Sequence, residues 1–163
     1  ARMQKLLDDI LWIVKREEVD VVNLFFVGDL VDGMLRQSQL MKLEYGLVES
    51  VIHLSEYLSR WINQLSGYAT VGVMGVTGNH SEVRPFKSKA REFPDENLEK
   101  IVFWFLDERL KGNDNVIVMR DCGQMSKITI CGYNFVLLHG DGEKSIDQIA
   151  RNTVNLYGER RLF

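Results

Sequence analysis

The sequence is poor in proline, cysteine and histidine, with two, two and three of them among 163 residues. Sparse proline and the absence of any Gly/Ser, Gln or acidic tract exclude a disordered or low-complexity chain, and 45% hydrophobic residues supply a substantial core. Cys122 and Cys131 form neither the close pairs of a zinc ribbon nor the C-x-x-C of a thiol oxidoreductase, so both are read as reduced thiols. No apolar run approaches the roughly 20 residues that a bilayer requires. Lys5, Asp8 and Asp9 stand where a signal peptide would be apolar. A cytoplasmic location without membrane contact is therefore expected. An excess of basic charge is missing too: a net charge of −3 and a pI near 5.7 exclude the whole-molecule footprint of a dedicated nucleic-acid binder, though not a local basic patch. Ala1-Arg2-Met3 does not read as a translation start, nor Leu162-Phe163 as a tail. The expectation is one domain over residues 1–163, cut from a longer chain.

What is present is an alternation of helical and strand patterns. Leu6, Ile10, Ile13 and Val14 recur at helical spacing between Lys5 and Arg16. Val21–Val27 is a nearly continuous apolar run, the pattern of a strand buried on both faces. A long helix is predicted from Gln39 to Leu65, with a break near Gly46, followed by a second buried strand over Thr70–Val76 and a charged loop from Ser81 to Pro94. Asp95 is placed to cap a helix that runs to about Lys111, where Gly112 stops it. Short strands are predicted at 116–119, 127–131 and 135–138, with Cys131-Gly132-Tyr133-Asn134 as a hairpin turn, and a last helix from about Ser145 to Leu156. This order predicts an α/β sandwich with a mixed sheet.

In open α/β sheets ligands collect beyond the carboxyl ends of the strands. Three strand ends here carry similar chemistry: Gly28-Asp29 with Asp32, Gly78-Asn79-His80, and His139-Gly140-Asp141. Each alone is also ordinary turn chemistry. Together they form a mixed oxygen and nitrogen donor set of the kind that suits manganese, iron or zinc. Two of the three histidines fall at these exits, whereas His53 lies within the long helix and reads as solvated or interhelical. Gly72, Gly75 and Gly78 do not fit G-x-G-x-x-G, and no Lys-Ser or Lys-Thr follows them, so both nucleotide-binding glycine motifs are rejected.

These residues resemble the calcineurin-like metallophosphoesterases, whose pattern runs D-x-H, G-D-x-x-D, G-N-H-[DE], H and G-H-x-H. Gly28-Asp29-Leu30-Val31-Asp32-Gly33 matches the second block, Gly78-Asn79-His80 the third and His139 the fourth, within a match from Val21 to Gly142. The resemblance implies a bridging role for Asp29 between two divalent metal ions, Mn2+ foremost, with Fe or Zn as alternatives. It implies that Asn79 and His139 bind the second ion and that His80 is catalytic without being a ligand. The implied reaction is direct hydrolysis of a phosphate ester, with two cations clamping the phosphoryl oxygens. The first strand and the last metal-binding segment of the family are expected to lie outside this chain.

The departures are specific. Ser81 stands where the family carries an acidic residue, with Glu82 one place later, so the partner of His80 is open. Asp32 either orients a ligand or caps its loop. Arg84, Lys87, Lys89 and Arg91 either contact a polyanion or form a solvated loop, and Phe86 and Phe93 either stack on bases or pin that loop. Gly-Asp-Leu-Val-Asp-Gly-Met and His-Gly-Asp depart from the protein-phosphatase blocks, which favours a phosphodiesterase or nuclease of the DNA-repair and phage-encoded branches, with DNA as a candidate partner, over a phosphomonoesterase. A different class of reading is a non-catalytic protein-binding scaffold on the same fold. The oligomeric state is not legible.

Overall fold

The apolar residues of the first helix, α1 (Arg2–Arg16), gather on one side of it, with Trp12 apart, and the fold buries one stripe of them. Leu7 and Val14 are buried, with Ile10 and Leu11 packed against the core, while Leu6 and Ile13, expected inside, are 46% exposed. The indole N–H of Trp61 donates to the Met3 carbonyl at 3.0 Å, tying α1 to the second helix. We describe residues 2–32, 44–84, 88–89, 91–142 and 145–157 from a computed structural model. That second helix, α2 (Leu47–Leu65), starts after Gly46, where the sequence pattern placed a break. Residues 39–43 of the longer predicted helix lie outside the described residues.

Strands β1 (Val21–Val27), β2 (Thr70–Val76) and β3 (Val116–Val118) form a parallel sheet in the order β1-β2-β3. β1 and β2 pair along their whole length, from Val21 opposite Thr70 to Val27 opposite Val76. Their carboxyl ends therefore stop level with one another. Strand alternation divides β2 between two clusters. Val71 and Val73 pack with Leu58, Ile62 and Leu65 of α2 and with Val102, Phe103 and Leu106 of α3 (Leu98–Leu110). Met74 and Val76 pack on the other face against Leu137, Ile128 and Phe135.

Those last residues belong to an antiparallel hairpin, β4 (Met125–Ile130) and β5 (Tyr133–Leu138). Its turn residues Cys131 and Gly132 have φ of 50° and 81°, the two left-handed residues that a tight two-residue hairpin loop requires. The last helix, α4 (Ile146–Tyr157), is capped by Ser145, whose hydroxyl accepts the Gln148 N–H at 3.2 Å. The α/β expectation holds, with the mixed strand directions divided between a parallel sheet and an antiparallel hairpin.

Two local expectations need correction. β1 is not buried on both faces: its helix-facing residues Val22, Leu24 and Phe26 pack on the core, whereas Val21 and Val27 are 53% and 51% exposed. Among the described residues β1 lies at the edge of the parallel sheet, and the hairpin reaches its outer face through Phe25 against Phe135, with ring centroids 6.2 Å apart. The cap of α3 is Asn97, whose side chain accepts the Glu99 N–H at 3.0 Å; Asp95 instead pairs with Lys100.

Candidate active site

The level ends of β1 and β2 bring Gly28-Asp29 and Gly78-Asn79-His80 into contact. Gly28 and Asp29 both take positive φ, 87° and 57°, so the chain reverses sharply and the Asp29 carboxylate turns back over the strand ends. Gly78 makes room for this turn: a Cβ there would lie 2.2 Å from the backbone nitrogen and Oδ1 of Asp29. The Asp29 Oδ1 then accepts the His80 backbone N–H at 3.0 Å, which leaves Oδ2 facing inward.

β5 delivers the third group. His139 donates its Nδ1–H to the Val27 carbonyl at 2.7 Å, and that bond leaves Nε2 with its lone pair. Nε2 lies 3.1 Å from Asp29 Oδ2 and 3.1 Å from Asn79 Oδ1. Three electron-rich atoms from three strand ends thus face one another, an arrangement that repels itself unless a cation or proton lies between them. Among the described residues no three His, Cys, Asp or Glu side chains cluster, and this set is completed by an amide. Carboxylate, amide and imidazole donors fit a divalent ion of borderline hardness. Asp29, Asn79 and His139, singled out as ligands, are therefore brought together.

His80 stands beside this set rather than in it. Its Nδ1 lies 2.9 Å from Asp32 Oδ1, and both side chains are about half exposed, at 44% and 52%. Asp32 is thereby the partner of His80, across 48 residues of sequence. Ser81 is buried and donates its hydroxyl to the Val31 carbonyl at 2.8 Å, and Glu82 is buried against Arg84 and the Arg91 backbone N–H, so neither serves His80. Asp141 pairs with Arg91 and belongs to the turn rather than to the donor set. His53 is exposed and meets the Tyr45 ring edge-on at 5.0 Å, well away from this chemistry. Arg84 and Arg91 are engaged with Glu82 and Asp141. Lys87 and Phe86 lie outside the described residues, and Phe93 is exposed.

Two residues of the site's frame carried no readable signal. Glu99 is fully buried; its Oε1 accepts the Leu30 N–H and its Oε2 the Gly78 N–H, each at 2.6 Å. Asn97 adds a bond from its amide nitrogen to the Gly78 carbonyl at 2.9 Å. The start of α3 thus holds both loops that carry Asp29 and Asn79. Burial raises the Glu99 carboxyl above its ordinary range, opposed by the two loop N–H groups. In sequence, an acidic residue in the first turn of a helix reads as a surface group favoured by the helix dipole.

A family model for calcineurin-like phosphoesterases matches residues 1–161, a span that includes the parallel strand ends, the three donor groups and the flanking histidine. The chain belongs to that family, whose members generally use two divalent metal ions to hydrolyse phosphate esters. It is similar to the SPbeta prophage-derived uncharacterized protein YonJ of Bacillus subtilis (strain 168), with 28% identity over 141 residues. The match covers 85% of this chain and 35% of YonJ, so the chain spans about a third of that relative's length. No solved structure matches. Among the described residues no helix is long and apolar enough to cross a membrane.

Proposed function

We propose that this chain carries the catalytic core of a metal-dependent phosphodiesterase. The observation that supports the reading best is the convergence of Asp29 Oδ2, Asn79 Oδ1 and His139 Nε2, with both separations at the imidazole 3.1 Å. In this reading Asp29, Asn79 and His139 would hold divalent metal, with manganese the foremost candidate. When bound, such ions draw in phosphoryl oxygens and make water a competent nucleophile at neutral pH. The remaining work falls to the chain's own residues.

The Val27 carbonyl keeps His139 in the tautomer that presents Nε2, and the His80 N–H fixes the rotation of the Asp29 carboxylate. Asp32 holds Nδ1 of His80 and leaves its Nε2 directed away from that bond. A proton on Nε2 can then pass to the leaving-group oxygen as negative charge develops there. The Asp32 carboxylate stabilises the imidazolium and restores its orientation after transfer.

The departure of Gly-Asp-Leu-Val-Asp-Gly-Met and His-Gly-Asp from the protein-phosphatase blocks favours a diester over a monoester. Of the cations that follow the Asn79-His80 block, Arg84 and Arg91 are committed to Glu82 and Asp141, whereas Lys89 is exposed. The test is manganese-dependent hydrolysis of bis(4-nitrophenyl) phosphate beside 4-nitrophenyl phosphate, using the full-length protein with chelator and His80→Ala controls. Diester turnover that needs both metal and His80 is the expected result. Faster monoester turnover would overturn the diester preference, and no metal-dependent turnover in folded protein would favour the scaffold reading.

A further inference from the structure

Arg91 has φ of 64°, a left-handed conformation that a residue with a Cβ seldom adopts. An outlier of this kind persists where its surroundings hold it, and Arg91 is held at both ends. Its backbone N–H donates to the two carboxylate oxygens of Glu82, at 3.1 and 3.2 Å. Its guanidinium donates to Asp141 Oδ1 and lies against Gly142, where an added Cβ would stand 2.1 Å from Nη1.

The two ends lead to opposite sides of the donor set. Glu82 is buried two residues after His80, in a segment stitched to the start of α3: the Val83 N–H donates to the Glu96 carbonyl at 2.8 Å and the Leu98 N–H to the Ser81 carbonyl at 3.0 Å. Asp141 follows His139 by two residues, in a turn with glycine on either side of it and φ of 90° at Gly140. Such a turn has little conformational preference of its own. The ring it leaves behind must nevertheless keep Nε2 3.1 Å from both Asp29 and Asn79.

We propose that Arg91 is a positioning residue of the metal-ligand set, tying the turn after His139 to the frame that carries Asn79 and His80. The inference rests on the metal-dependent reading of that set. The tie accounts for an arginine at a φ that glycine takes without steric cost, because glycine could make the bond to Glu82 but not the one to Asp141. The guanidinium and the carboxylate are 33% and 22% exposed, so this charge-assisted bond is sheltered from solvent over most of both side chains.

The experiment separates the tie from ordinary stability. Arg91→Gly removes the guanidinium and relieves the backbone, whereas Arg91→Ala removes the guanidinium and keeps the strain. Mn2+ is titrated calorimetrically into the full-length protein and each variant, beside denaturant unfolding. Both variants should bind Mn2+ about tenfold more weakly than the wild type, as when a group that orients a ligand is lost, although Arg91→Gly is the more stable of the two. Asp141→Asn should weaken binding similarly, and adding it to Arg91→Gly should cost nothing further. Affinity that follows stability, with Arg91→Gly at the wild-type value, would overturn the proposal. A second readout needs no metal: in chelator, proton NMR follows the Nδ1–H that His139 donates to the Val27 carbonyl, identified by its loss in His139→Gln. It should be sharp in the wild type and broadened by exchange with water in Arg91→Gly. Its absence from the wild type, or its survival unchanged in Arg91→Gly, would overturn the tie. Wild-type protein that binds no Mn2+ would defeat the metal-dependent reading, while this resonance still decides the role of Arg91.

Discussion

Glu99 accepts the backbone N–H of Gly78 at 2.6 Å, so a carboxylate at the start of α3 fixes the residue next to the ligand Asn79. Its other oxygen holds Leu30, next to Asp29. A single buried side chain thus sets the spacing between two loops that meet nowhere in sequence. Glu99→Gln keeps the shape and replaces one acceptor with an amide NH2, which would face a backbone N–H. One loop loses its anchor, and a buried donor is left unsatisfied. The expected outcome is a stability loss of about 1–3 kcal/mol, read by denaturant unfolding, together with weaker metal binding.

The same carboxyl gives a pH signature with a definite sign. Burial raises its folded-state value, so the native protein holds the proton to a higher pH than the unfolded chain does. The stability it contributes is fully present below the unfolded value and is lost as pH rises through the raised one. Subtracting the pH–stability curve of Glu99→Gln from that of the wild type should leave a component that falls with rising pH across this window. A component that rises instead would mean the loop hydrogen bonds outweigh burial.

Gly78→Ala tests the contact between the two strand ends. The added Cβ would stand 2.2 Å from Asp29 N and Oδ1, and neither is the flexible end of a long side chain. The Asp29 turn has to move. Overpacking of this kind costs about 1–3 kcal/mol, and the displaced carboxylate should lose both metal affinity and diester turnover. A variant with wild-type turnover would show that the Asp29 geometry is not required.

The strand ends and their polar residues were legible because alternation and apolar runs report where strands stop, and the three blocks fall at those stops. What was not legible is long-range. Ser81 and Glu82, next to His80 in sequence, leave its partner open, and parallel pairing of β1 with β2 places Asp32 beside it. Glu99 looks local in sequence, and only the packing of α3 under the strand ends reveals its role. Phe103 explains part of the glycine spacing in β2: a Cβ at Gly75 would meet its ring at 2.0 Å, so that glycine serves helix packing rather than phosphate binding. The exposed outer face of β1 is not legible in the sequence, because an apolar run does not report how many of its faces are covered.

The two thiols should separate cleanly. Cys122 is buried in the main cluster, and burial pushes its thiol up to about 11, whereas Cys131 is exposed at the hairpin turn. The thiolate is the reacting form. Iodoacetamide at about pH 8 should label Cys131 alone in the native protein and both residues after unfolding, as read by peptide mass spectrometry. Native labelling of Cys122 would mean that the core around α3 opens.

His80 and Asp32 should act as a unit. The 2.9 Å contact between Nδ1 and Oδ1 joins two half-exposed side chains outside the donor set, so removing either leaves Asp29, Asn79 and His139 in place. His80→Ala should lower kcat by about 10²–10⁴, the range of a positioned general acid, with metal affinity unchanged. Asp32→Asn removes the charge that stabilises the imidazolium but keeps a hydrogen-bonding group, so its loss should be smaller. Once His80 is gone, Asp32 has nothing left to orient, and the double variant should be no slower than His80→Ala alone. Additive losses in kcat would instead give Asp32 a role of its own, and weakened metal binding in His80→Ala would return that histidine to the ligand set.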